Sequence, residues 1–340
     1  MKLCKDLNAL YTAIAAAQDL YLPVRDGVTT DFKKYEAGCN VNLKALKTVR
    51  SAKDFFFSQT ETLMGFKVEG KNIEVEDLRP EVKPFVAFGI RGCDAKSFEI
   101  LDKVFLVEPV DTVYQARRNA ATIVTLACGK PEETCFCMHF GVDAADPAGD
   151  VTTWLTEEGL YWRANTDKGN ALTDAIAAVF TEGDEAAVET AKESTRNILK
   201  KLPLADLSLD HLLGAKEETF WNHPVWKEMS GTCLACGTCT YVCPTCQCYD
   251  VRDFDCGNSI ERFRCWDSCM YSDFTRMAHG NNRNTQDQRF RQRFLHKLVY
   301  FPQRNEGVYG CVGCGRCVAK CPSKLNIVKV IKALGGKENA

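Results

Sequence analysis

The cysteine spacing near the C-terminus constrains this chain more than any other feature. Cys233, Cys236, Cys239, Cys243 and Pro244 form a CxxCxxCxxxCP run, and Cys311, Cys314, Cys317, Cys321 and Pro322 repeat it. Such a run wraps the backbone around an iron–sulfur cube so that three thiolates reach three irons, while the fourth cysteine points away to a neighbouring cluster. Two runs must then exchange their last cysteines. The expected ligands are Cys233, Cys236, Cys239 and Cys321 for cluster one, and Cys311, Cys314, Cys317 and Cys243 for cluster two, both of the [4Fe-4S] type. Structural zinc is the competing reading, but it uses two separated CxxC or CxxC/HxxxH pairs to close one tetrahedron. Two full quartets, each followed by proline, do not follow that pattern.

At 340 residues, 45% of them hydrophobic, the chain exceeds a lone ferredoxin and suits two domains with real cores. Thirteen of its nineteen cysteines lie between Cys233 and Cys321, which suits metal thiolates in a reducing compartment rather than a disulfide scaffold. A formal charge of -2 gives no reason to expect nucleic acid as a partner. At the N-terminus, Leu7, Leu10, Ile14 and Ala17 repeat at helical spacing, so an amphipathic helix is expected there rather than a signal peptide. No stretch approaches the ~18 apolar residues of a membrane span. A soluble, cytoplasmic protein is therefore expected.

In the N-terminal half, LYLPVRDG and FKKYEAG suggest two strands around a turn, and the DFFFSQTETLMGF run suggests core packing. PFVAFGI reads as a buried strand, RGCD as a turn, KSFEILDKVFL as a helix and ATIVTLA as a second buried strand. A strand–helix–strand unit has parallel strands and a right-handed crossover, and ligands bind beyond the carboxyl ends of such strands. One exit loop carries Cys93, and the other carries Cys128, Cys135 and Cys137. Chain topology thus gathers four thiols at one sheet edge, and a third [4Fe-4S] cluster held by Cys93, Cys128, Cys135 and Cys137 is expected, against the alternative of ordinary buried cysteines. Asp94 suits either a helix cap or a place beside the metal.

VTTWLTEEGLYWRAN reads as a hairpin and makes the sheet mixed, and helices follow near 171–180 and 184–201. The prolines and polar breaks before residue 224 mark a connection. His211 and His223, which lie there, have no second ligand at motif spacing. Sixty-seven residues separate Cys243 from Cys311, and part of this insert, DQRFRQRFLHKLVYFP, has a helical apolar stripe expected to end at Pro302. Its Arg289, Arg291, Arg293 and Lys297 are either a solvated face or charges that tune cluster potentials. Cys246, Cys248, Cys256, Cys265 and Cys269 receive no ligand role. The expected class is α+β, with an α/β domain containing a small mixed sheet over 1–220 and a mainly helical, ferredoxin-like dicluster domain over 221–340.

Taken in order, GIRGCDAKSF, CGKPEETCFC, CPTCQCYD, RCWDSC, RFLHKLVYFPQR and CVGCGRCVAKCP resemble a family that contains the iron–sulfur electron-transfer chain of anaerobic sulfite reductase and the beta subunit of soluble sulfhydrogenase. The resemblance runs from about Phe55 to Val330. It implies a cytoplasmic electron-transfer subunit that relays single electrons from a flavin- and NAD(P)H-binding subunit to a catalytic reductase or hydrogenase-type subunit. Where many relatives carry SMGTGP after the CFC, this chain carries MHFGVDAADP, which leaves the subgroup and the terminal reaction open. No GxGxxG after a strand and no GxxxxGK[ST] is present, so no nucleotide site is expected on the chain itself. A catalytic subunit that binds a small substrate at the N-terminal cluster is the alternative, and a redox sensor is a third.

Overall fold

The computed structural model describes residues 1–257 and 259–335. Its strands are β1 (Lys2–Cys4), β2 (Asp19–Asp26), β3 (Thr29–Lys34), β4 (Thr60–Glu69), β5 (Asn72–Asp77), β6 (Phe85–Ile90), β7 (Ala121–Leu126), β8 (Val151–Leu155), β9 (Leu160–Ala164), β10 (Thr181–Glu182), β11 (Tyr249–Asp255) and β12 (Ser259–Trp266), with a small separate hairpin of β13 (Arg276–Met277) and β14 (Gly280–Asn281). The helices are α1 (Leu7–Ala17), α2 (Gly92–Phe105), α3 (Thr112–Ala120), α4 (Asp167–Ala175), α5 (Glu185–Leu199), α6 (Glu217–Trp221), α7 (Val225–Ser230), α8 (Thr238–Tyr241), α9 (Gln286–Leu295), α10 (Phe301–Arg304), α11 (Arg316–Lys320) and α12 (Ile327–Leu334). The class is α+β.

An eight-stranded mixed sheet runs in the order β10-β1-β9-β8-β7-β6-β2-β3, and its centre is parallel from β2 through β6 and β7 to β8. Every residue of β6 and β7 is buried, as strands covered on both faces must be. Alternate residues serve opposite cores. Val86, Phe88 and Val124 pack with Leu10 and Ile14 of α1 and Leu172 of α4, whereas Ala87 and Ile123 pack with Phe98 and Leu101 of α2 and with Phe56 and Phe57. The β8–β9 hairpin forms around Glu157–Gly159, as its alternation predicts. One expectation shifts: RGCD is not a separate turn, because α2 begins at Gly92 and Cys93 lies in its first turn.

A second, antiparallel sheet has the order β11-β12-β4-β5, so a hairpin from the first half of the chain pairs with a hairpin from the insert. At that seam Glu61, 6% exposed, receives Arg264 and Arg117, and Arg264 also reaches Asp111.

The remaining helices enclose the CxxCxxC runs. Phe290, Phe294 and Leu295 of α9 pack with Leu298, Trp226 of α7 and Val330 and Ile331 of α12. Thr285 and Gln288 form a capping box at the start of α9. The helix does not stop at Pro302. A wide π-type turn over His296–Tyr300 leads into α10, where Pro302 stands near the N-terminus and its missing N–H costs nothing. His223 accepts the Val225 N–H at 3.2 Å and so caps α7, while His211 packs edge-on against Phe220.

Candidate metal centre

The two CxxCxxC runs adopt one backbone shape. Ala235 and Gly237 have φ of 51° and 72°, and their counterparts Gly313 and Gly315 have 61° and 77°. Left-handed residues turn successive N–H groups inward and make an anion-binding concavity. The Ala235 N–H accordingly points to Cys233 Sγ at 3.5 Å and the Gly313 N–H to Cys311 Sγ at 3.4 Å, and a third N–H, of Leu325, reaches Cys321 Sγ at 3.2 Å. Hydrogen bonds of this kind stabilise a sulfur that carries negative charge. A short helix begins within each run, α8 carrying Cys239 and α11 carrying Cys317.

One cavity is lined by Cys233, Cys236 and Cys239 from the first run and by Cys321 from the second, with Met270, Phe290 and Phe294 supplying apolar walls. Around the second run, Cys311, Cys314 and Cys317 each have Cys243 among their nearest ionisable neighbours. The fold thus places Cys321 beside the first run and Cys243 beside the second. Among the described residues, no three His, Cys, Asp or Glu side chains converge on a single ion.

The N-terminal thiols also meet. Cys128, Cys135 and Cys137 are buried, and Cys137 has Cys128 and Cys135 as its nearest charges, while Cys93 has Cys137 and Cys314 among its neighbours. Their loop lies directly on the second run: the Phe136 N–H donates to the Gly313 carbonyl at 3.0 Å. A Cβ at Gly313 would stand 2.6 Å from Cys137 Cα, and one at Gly315 would stand 2.2 Å from the Thr134 carbonyl oxygen. Glycine here serves close backbone approach. Asp94 neither caps α2 nor faces the thiols as a free acid. It forms a two-pronged pair with Arg316 at 2.6 and 2.7 Å, both side chains being almost fully buried.

Burial pushes the thiols of Cys93, Cys128, Cys137, Cys239, Cys311 and Cys317 up, and that of Cys314 up to about 12. Such thiols stay protonated near neutrality unless positive charge among them withdraws the proton, which bound metal does. The chain also supplies cations of its own. Arg293 and Lys297, expected on a solvated face, are 3% and 5% exposed. Arg293 donates to the Cys239 carbonyl at 3.2 Å, and its Nε and Nη1 have no hydrogen-bond partner. Burial alone would lower its pKa, but the surrounding Cys239, Cys317, Cys246 and Cys243 raise it. A buried guanidinium with free N–H groups among thiols fits a site that carries net negative charge. Lys53, 1% exposed, donates to the Cys246 carbonyl at 2.8 Å, and Arg91 donates to the carbonyls of Leu43, Ala45 and Ala127 beside Cys128. Reasoning from sequence missed Lys53 and Arg91. Their only signal was a basic residue set against apolar runs, AKDFFF and FGIRG.

Residues 232–325, which hold both cysteine runs, match the model of the 4Fe-4S dicluster domain, so the chain is a dicluster iron–sulfur protein. Sulfhydrogenase 2 subunit beta of Pyrococcus furiosus is 35% identical over 321 residues, 92% of this chain and 91% of that protein. The chain belongs to the sulfhydrogenase beta-subunit family and is an iron–sulfur, electron-transfer subunit of an oxidoreductase. No solved structure matches it. No helix among the described residues is long and apolar enough to cross a membrane.

Proposed function

We propose that the chain relays single electrons in the cytoplasm, from a flavin- and NAD(P)H-binding subunit to a catalytic reductase or hydrogenase-type subunit or in the reverse direction, with [4Fe-4S] clusters as carriers. In this reading cluster one is held by Cys233, Cys236, Cys239 and Cys321, cluster two by Cys311, Cys314, Cys317 and Cys243, and a third by Cys93, Cys128, Cys135 and Cys137. The observation that carries it is the cavity whose four cysteines come from two runs far apart in the chain. Such clusters supply one-electron chemistry, so a hydride donor requires a flavin on another polypeptide to split its electron pair.

The chain's own residues hold and tune the carriers. N–H groups of Ala235, Gly313 and Leu325 stabilise charged sulfur, and Arg293 stands between the quartets with neighbours from both. The exposed edge at Cys236 and Leu234 offers a partner the shortest approach to cluster one. A catalytic N-terminal cluster would need an open coordination position, and four cysteines gathered there argue against one.

Replacing Cys135 and Cys137 with Ser is expected to remove one EPR-active centre from the reduced, anaerobically prepared protein and to leave the dicluster signals. If all centres persist, the N-terminal ligand assignment is wrong. Co-purification with a flavoprotein is the companion result, and a flavin-free monomer that turns over substrate would overturn the relay.

A further inference from the structure

The insert holds five more thiols that neither quartet uses, and three of them meet. Cys246 and Cys248 stand just before β11, and Cys269 stands just after β12. The hairpin register explains their meeting: Tyr249 pairs with Trp266, and the Asp267 N–H donates to the Cys248 carbonyl at 3.0 Å, so the strand that enters and the strand that leaves are tied at the base. Cys246, Cys248 and Cys269 are mutual neighbours. Cys265, one strand position earlier, faces Arg252 and Asp250 instead, and Cys256 is exposed near the far end of the hairpin.

Cations converge on the same spot. Lys53 reaches the Cys246 carbonyl and stands 3.8 Å over the Trp266 ring. Lys297 donates to Thr245 Oγ1 at 2.7 Å and to the Gly310 carbonyl at 2.9 Å, with Cys243 and Cys246 as its nearest thiols. Arg293 has Cys246 among its neighbours. Among the described residues, none of these three cations forms an ion pair with a carboxylate. Cluster two accounts for part of that charge, but Lys53 is bonded to the Cys246 carbonyl, and the thiols that act on it are Cys246, Cys243 and Cys248. Burying a cation without an anion is costly, and a metal–thiolate group of net negative charge is the partner this pocket lacks.

We propose that Cys246, Cys248 and Cys269 hold an additional iron–sulfur cluster, set at the base of the β11–β12 hairpin and adjoining cluster two through Cys243. On assembly three S–H protons leave to solvent as three Fe–S bonds form, two ferrous ions, two ferric ions and four inorganic sulfides come from the reconstitution mixture so that no net oxidation is needed, and one iron keeps a non-cysteine donor. Contact between Cys243 and Cys246 makes the centre a neighbour of the relay proposed above, but its existence does not depend on the relay.

The test uses the full chain, reconstituted anaerobically with ferrous and ferric iron and sulfide. The C135S/C137S protein, which leaves the inferred site intact, is expected to hold about eleven to twelve irons with matching sulfide, and about eight would overturn the inference. C248S/C269S is expected to lose about three to four irons relative to wild type, whereas C256S/C265S loses none. Unchanged iron in C248S/C269S, or loss of zinc without sulfide, would overturn the assignment. If C135S/C137S keeps all of the wild-type iron, the N-terminal cluster fails instead, and a total near twelve still supports this site.

Discussion

The two CxxCxxC runs have the same turns and meet opposite surroundings. Leu234 in the first run is 68% exposed, and its counterpart Val312 is 2% exposed. Cys236 lies at the surface while Cys314 is buried, and the position filled by Thr238 in one is filled in the other by Arg316, which is locked to Asp94. Backbone shape therefore follows from cysteine spacing, but a cluster's place in the molecule follows from what packs on the loop. The first run faces a cavity that a partner can approach, and the second is clamped by the CFC loop from the other half of the chain.

Equivalent changes in the two runs should therefore have unequal effects. Asp94→Ala leaves Arg316 buried without its anion, and a broken buried pair costs about 3–5 kcal/mol. Thermal loss of cluster absorbance should come at much lower temperature, and an unchanged midpoint would show that the clamp contributes nothing. Gly315→Ala combines a φ of 77° with a backbone carbonyl 2.2 Å from the new Cβ, a cost of about 2–4 kcal/mol. Gly237→Ala meets the Tyr271 hydroxyl at 2.5 Å, the far end of a side chain that can swing away, so about 1–2 kcal/mol is expected. Equal losses in the two alanine variants would break the contrast. Ala235→Gly should stabilise the first run by up to about 1 kcal/mol, because its φ of 51° favours glycine, as Gly313 already does in the second run. Leu234→Ser should move stability by no more than about 0.5 kcal/mol yet slow electron exchange with the partner, a split that denaturation and stopped-flow reduction can resolve.

The dicluster domain was legible in the sequence because a cluster dictates cysteine spacing along the chain. The strand–helix–strand unit was legible because β6 and β7 are unbroken apolar runs, and their exit loops placed Cys93 near Cys128, Cys135 and Cys137. The seam between β4 and β12 was not. YDVRDFD is charged at four of seven positions and SIERFRCW at three of eight, and at the β4–β12 seam Glu61 meets Arg264 across 203 residues, which no local pattern encodes. Arg293 and Lys297 were misplaced for a related reason: periodicity puts them beside the apolar stripe of α9, but only the thiols around them make burial tolerable. Cys248 and Cys269 meet through a hairpin register, which spacing along the chain does not reveal.

The central claim is that these thiolates hold iron and inorganic sulfide rather than single metal ions. Acid-labile sulfide, measured on protein purified without oxygen, tests it most directly. At least about eight sulfides per chain, matched by iron, are expected. Zinc with no sulfide would contradict the claim.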